Sequence, residues 1–157
     1  MLKLTADARK ALLTSATEEA MRRGDRRLGT DHLLLALLRD PDSPTARALG
    51  VSLGNARSAS AALDRAALAA VGIEARQLAS PRQPATVRRL PPLTSGARAV
   101  ITGAVEAARL ARTGRIETRH FLLALLTREL PDPAAQLLRV LGVDPAEVRR
   151  RLAGTAA

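Results

Sequence analysis

Two histidines are the first residues whose type suggests chemistry. His32 stands in Gly29-Thr30-Asp31-His32, ahead of the apolar run Leu33 to Leu38. His120 stands in Glu117-Thr118-Arg119-His120, ahead of Phe121 to Leu126. An imidazole can ligate a metal or move a proton near neutral pH, but either task needs company. A metal needs further ligands at suitable spacing, and a nucleophile needs an ordered base and acid. Neither histidine has a second His or Cys at ligand spacing, and cysteine is absent. No Ser-His-Asp order, pair of catalytic carboxylates or G-x-x-x-x-G-K-[ST] phosphate loop stands out. The histidines read as packing residues, with no catalytic residue, no metal and no cofactor expected. Asp31 is an anion in the first turn of a helix, where the backbone dipole favours it by about 0.3–1 kcal/mol. Arg119 takes the same position in the second block and is disfavoured by the same field, with Glu117 beside it to compensate.

The elements around these residues repeat. Thr30 and Thr118 each read as an N-cap, a hydroxyl able to accept from a free N–H of the first turn. The runs behind them are too apolar all round for surface helices and too short to span a bilayer, so other helices must wrap them. From Leu4-Thr5 a helix runs to about Arg23, with Leu12, Leu13, Ala16 and Ala20 as its stripe, and Gly24-Asp25 ends it. Asp42-Ser43-Pro44 opens a short helix through Leu49; Gly50 closes it and Ser52 caps the next. That helix is expected to reach about Leu63, with Asp64 capping an extra short one from Arg65 to Val71. Leu93-Thr94 restarts the pattern, with Ala97, Val100, Ile101, Ala104, Val105 and Ala108 at helical steps, and Gly114 ends it. Pro131-Asp132-Pro133 turns into a helix from Ala134 to Leu141, and Gly142-Val143-Asp144-Pro145 supplies a stop and a start together.

The halves therefore correspond: Leu4-Thr5 with Leu93-Thr94, His32 with His120, Leu49-Gly50-Val51-Ser52 with Leu141-Gly142-Val143-Asp144, and Arg57 with Arg149. The expected fold is all-α, two tandem four-helix repeats. Residues 1–78 form the first, with its extra short helix; 79–92 are an exposed proline-rich linker; 93–152 form the second, and 153–157 a fraying tail. Ile73 to Leu78 can add a last turn or two to the first repeat.

Composition narrows the function classes. Of 157 residues, 46% are hydrophobic, and Phe121 is the only aromatic, so packing falls to Leu, Val, Ile and Ala. The formal net charge of +10 is carried almost wholly by arginine. It suits an acidic partner, but a GC-rich coding bias that writes surface cations as Arg accounts for it as well. Lack of cysteine and of an apolar leader suits a cytoplasmic protein, and no segment is long enough to cross a membrane.

With these blocks in view, the pattern [F/L]-T-x-x-A-R, then G-T-[E/D]-H with its apolar run, then L-G-V-[S/D] resembles the N-terminal domain of Clp chaperone ATPases of the ClpA/ClpC type. It is written here twice: Leu4-Thr5 with Ala8-Arg9, then Leu93-Thr94 with Ala97-Arg98, each followed by its histidine and Leu-Gly-Val blocks. The resemblance implies eight core helices with pseudo-twofold symmetry, a surface for adaptors and substrates and, in some members, recognition of phosphorylated arginine. On motif position it assigns partner-binding roles to Thr5 and Asp31 in the first half, and to Thr94 and Arg119 in the second. Arg119 replaces the acid that would pair with a guanidinium, so phosphoarginine is expected in the first half only. With no phosphate loop, the chain is expected to be a free-standing, non-catalytic interaction module. It would bind adaptors, substrates or ligands of the Clp chaperone–protease system, as helper or decoy. The alternative is a basic nucleic-acid-associated helical protein, against which stand the near absence of stacking aromatics and of any concentrated basic stripe.

Overall fold

The computed structural model describes residues 6–73 and 90–155. Eight helices follow in order: α1 (Ala6–Arg23), α2 (Thr30–Leu37), α3 (Pro44–Leu49), α4 (Leu53–Ala70), α5 (Ser95–Leu110), α6 (Thr118–Leu125), α7 (Pro133–Val140) and α8 (Pro145–Gly154). No strand occurs among the described residues, only a single parallel bridge between Leu28 and Leu93.

Local chemistry sets most boundaries. Ser43, Ser52, Thr94, Asp132 and Asp144 each accept a first-turn backbone N–H with the side chain, satisfying a donor that the helix leaves free. Pro44, Pro133 and Pro145 open their helices at positions where the missing N–H costs nothing. Gly50 and Gly142 sit at equivalent turns, both with φ of 68°, a left-handed conformation that a Cβ would strain.

Packing interlocks the halves. The first helix of each repeat lies along the second: α1 on α2, and α5 on α6. The third helices cross over, α7 packing on α2 and α4, and α3 on α6 and α8. Every residue of α2 is buried, as its all-round apolar sequence requires. Phe121 is buried within the same core. Gly103 lets α5 approach α6 closely: a Cβ there would lie 3.1 Å from that of Ala124.

Three expectations change. The extra helix capped by Asp64 does not form; α4 runs through Asp64 to Ala70. No Gly or Pro interrupts the alanine-rich stretch, and the Asp64 carboxylate pairs with Arg23 instead of turning back on its own backbone. At the other end of the proposed linker, Leu28 donates to Pro92 O and accepts from Thr94 N, both at 3.0 Å, so the second repeat is pinned where it begins. The last helix continues two residues past Leu152, to Gly154. The turn expected over Ile73–Leu78 and most of the linker lie outside the described residues.

Candidate functional site

The threonines before the histidines are not the caps. Gly29 and Glu117 are the N-cap residues, and Thr30 and Thr118 are the first helical residues. The imidazoles do the capping: His32 Nδ1 accepts from Gly29 N–H at 2.9 Å, and His120 Nδ1 from Glu117 N–H at 2.8 Å. Each ring closes its helix end from the third position, the place a glutamate or glutamine fills in a capping box. Thr30 works across the repeats instead. Its hydroxyl donates to Asp132 Oδ1 at 2.7 Å and accepts from Ala134 N–H at 3.2 Å, so it helps cap α7.

With Nδ1 committed as acceptor, the proton sits on Nε2, and the two rings then differ. His32 Nε2–H donates to Asp25 Oδ2 at 2.8 Å. That hydrogen bond holds the Asp25 carboxyl below its usual range; partial burial opposes it and Arg23 assists. His120 Nε2–H is buried with no acceptor. Burial, then the neighbouring Arg119 charge, lowers the His120 pKa, with Glu117 opposing. Among the described residues no group of three His, Cys, Asp or Glu could hold a metal.

Asp31 sits in a cage around an arginine. Arg23 Nη1 donates to Asp31 Oδ2 at 2.5 Å and to Ser60 Oγ at 3.0 Å. Its Nη2 meets Asp64 Oδ2 at 2.9 Å, and its Nε lies 3.2 Å from Asp25 Oδ2. Burial alone would pull the Arg23 pKa down, but the surrounding carboxylates, Asp31 foremost, hold it above its ordinary value. Burial, joined by repulsion from Asp25 and Asp31, raises the Asp64 pKa against the pull of Arg23. One turn away, Glu19 is 2% exposed and takes two donors from Arg57, at 2.6 and 3.1 Å.

The other sequence candidates are scattered. Thr5 lies outside the described residues. Thr94 caps α5, accepting from Ala97 N–H at 3.1 Å. It also lines an inter-repeat cavity of about 610 Å³ with Thr30, Arg128 and Asp132. Arg119 Nε lies 3.0 Å from Glu117 Oε2, the compensation its position requires. No hydrogen bond or ion pair joins Asp31, Thr94 and Arg119 to one another. An apolar-floored cavity of about 690 Å³, lined by Leu126, Leu130, Leu138, Val143 and Pro145 with Arg139, opens on the second repeat.

The Arg23 cage went unseen in the sequence, though a signal was there. Positions 12, 16, 19 and 23 share one helix face, so Glu19 and Arg23 fall in line with buried Leu12 and Ala16. Charges in a core stripe call for partners on another element.

A doubled helical unit with exchanged third helices and an end-cap shared across the repeats defines an all-α tandem-repeat domain. The model of the Clp repeat (R) N-terminal domain matches residues 3–90 and again 92–157, and the chain belongs to this family. Domains of this type are the substrate- and adaptor-binding parts of Clp systems, distinct from the ATPase parts. The N-terminal domain of the chaperone ClpD from Arabidopsis thaliana is similar at 21% identity and a TM-score of 0.70, over 98% of this chain and 94% of that one. A structure from a malarial protein secretion system is similar at 15% identity and a TM-score of 0.64, over 98% and 94%. The N-terminal domain of the ClpV1 ATPase from E. coli is similar at 20% identity and a TM-score of 0.53, over 94% and 82%. At these identities the likeness is one of fold. No curated protein matches the sequence significantly. Among the described residues no helix is long and apolar enough to cross a membrane.

Proposed function

We propose that this chain is a protein-docking module of a Clp-type chaperone–protease system, engaging adaptors, clients or ligands of that system in the cytoplasm, as helper or decoy. The observation that carries the reading is the double family match spanning nearly the whole chain. The packing supports it: the eight helices close one interlocked core and leave open cavities on its surface. Crosslinking in native extract followed by identification of captured proteins tests it. Recovery of Clp components or their clients is expected; repeated recovery of neither refutes it.

Phosphoarginine in the first half has one supporting feature, a cage of carboxylates around Asp31 of a size that holds a guanidinium. Arg23 fills that cage, so a ligand guanidinium enters only by displacing it. Calorimetric titration with phosphoarginine, with free arginine as control, on wild type and Arg23→Ala measures this competition. Tighter binding by the variant supports the reading, and no heat from either chain removes it.

A further inference from the structure

The two repeats treat equivalent corners in opposite ways. Gly24 N donates to Met21 O and Asp25 N to Ala20 O; Arg112 N donates to Arg109 O and Thr113 N to Ala108 O. The turn after α5 therefore superposes in pattern on the turn after α1, and Asp25 answers to Thr113. Counting from the α4 and α8 caps, Ser60 answers to Leu152, both buried. By their places before the turns and in the first turns of α2 and α6, Arg23 answers to Ala111 and Asp31 to Arg119. The first corner thus holds a cation among its own carboxylates; the second has lost Arg23, Asp25, Asp31 and Ser60 and carries Arg112, Glu117 and Arg119 where the first has Gly24, Gly29 and Asp31.

Three features set the second corner apart from the first. Both histidine rings are anchored the same way, so His120 Nε2–H points at the α5–α6 turn as His32 Nε2–H points at Asp25. It finds no acceptor; the Thr113 hydroxyl, at the place of Asp25, donates to Arg115 O at 2.7 Å. The same turn presents Arg112, exposed and left-handed with φ of 53°, where the first repeat has glycine. An arginine pays for that conformation and a glycine does not. Arg115 and Arg119 then flank the single carboxylate of Glu117, each at 3.0 Å, so the corner carries excess positive charge.

We propose that the second-repeat corner formed by Arg112, Arg115 and Arg119 docks an acidic segment of a partner protein, its carboxylates supplying from outside the charge that Asp25 and Asp31 supply within the first repeat. The proposal rests on the docking-module reading and names the chemistry of the partner. Charge-assisted hydrogen bonds from arginine forks to carboxylates would give both attraction and register.

The test is fluorescence anisotropy of the whole chain with a labelled octaglutamate peptide, at low and at physiological salt. Saturable binding is expected, weakened at least about tenfold by R115Q/R119Q and less than about twofold by R47Q/R65Q, which removes equal charge from the first repeat. T113D, which gives His120 an acceptor and the corner an internal carboxylate, is expected to weaken the peptide by about tenfold with unchanged helical circular dichroism. Equal losses in the two double variants would mean undirected electrostatics and overturn the proposal. So would absence of binding at low salt, or tighter binding of an equally charged DNA oligonucleotide with the same variant pattern. The peptide is synthetic, so its failure sinks this site and leaves the crosslinking test of the docking reading standing.

Discussion

Replacing Arg23 by methionine keeps an unbranched stem like that of arginine and removes the guanidinium. Asp31 then keeps its buried charge with no cation: its side chain is 11% exposed, and that of Arg23 is 21%. Breaking one partner of a buried pair costs about 3–5 kcal/mol, and the partial exposure here argues for the lower end. The Asp64 side chain is 50% exposed, so its share is at most about 1 kcal/mol. We expect R23M to lose about 3 kcal/mol at pH 7, or roughly 6–12 °C in Tm for a chain of this size. The pH dependence follows in sign. Arg23 pulls the Asp25 and Asp64 pKa values down, so in R23M the folded pKa values of these two carboxyls rise relative to wild type. The deficit of R23M is therefore full above the carboxylate range and shrinks as pH falls into it. Urea unfolding of both chains at pH 7 and pH 4 reads this directly. A double-mutant cycle with Asp31→Asn should return a coupling of about 2–3 kcal/mol. An R23M chain within 1 kcal/mol of wild type at pH 7, or with a deficit that grows on acidification, would refute the cage argument.

Further outcomes are open to the same assays. Thr30→Val removes the hydroxyl shared by Asp132 and Ala134 N–H, and should cost about 1–2 kcal/mol by urea unfolding. Arg112→Gly relieves a left-handed arginine and should raise stability by about 0.5–1 kcal/mol in thermal melts while weakening octaglutamate. Asp25→Asn attenuates the bond to His32. The folded Asp25 pKa is lowered, so its stabilisation is present above the unfolded value and lost as pH falls through the folded one. The gap between D25N and wild type should be constant near neutrality and close in acid, as pH-dependent melts would reveal. Glu19→Ala strips the bidentate partner from Arg57 and opens the α1 face, with an expected loss of about 2 kcal/mol in urea.

Local signals sufficed for the outline. Ser43-Pro44, Ser52, Thr94, Asp132-Pro133 and Asp144-Pro145 cap as their types predict, because capping is decided by a few neighbouring residues. Leu33 to Leu38, apolar on every side, could only be central. The repeat and its family were legible because the same blocks occur twice in the same order. Tertiary structure decided what those blocks touch. Thr30 reads as the cap of its own helix and instead serves α7, since His32 already closes that end. Asp64 reads as a helix start and instead lies mid-helix, answering Arg23 from α4. The motif gives Asp31 a partner-binding role, and in the fold it pairs with the Arg23 guanidinium of the same chain. Helix ends obey short-range rules that a sequence displays. The partners of buried charges depend on which helices meet, and only the folded chain brings Arg57 and Asp64 of α4 against Glu19 and Arg23 of α1.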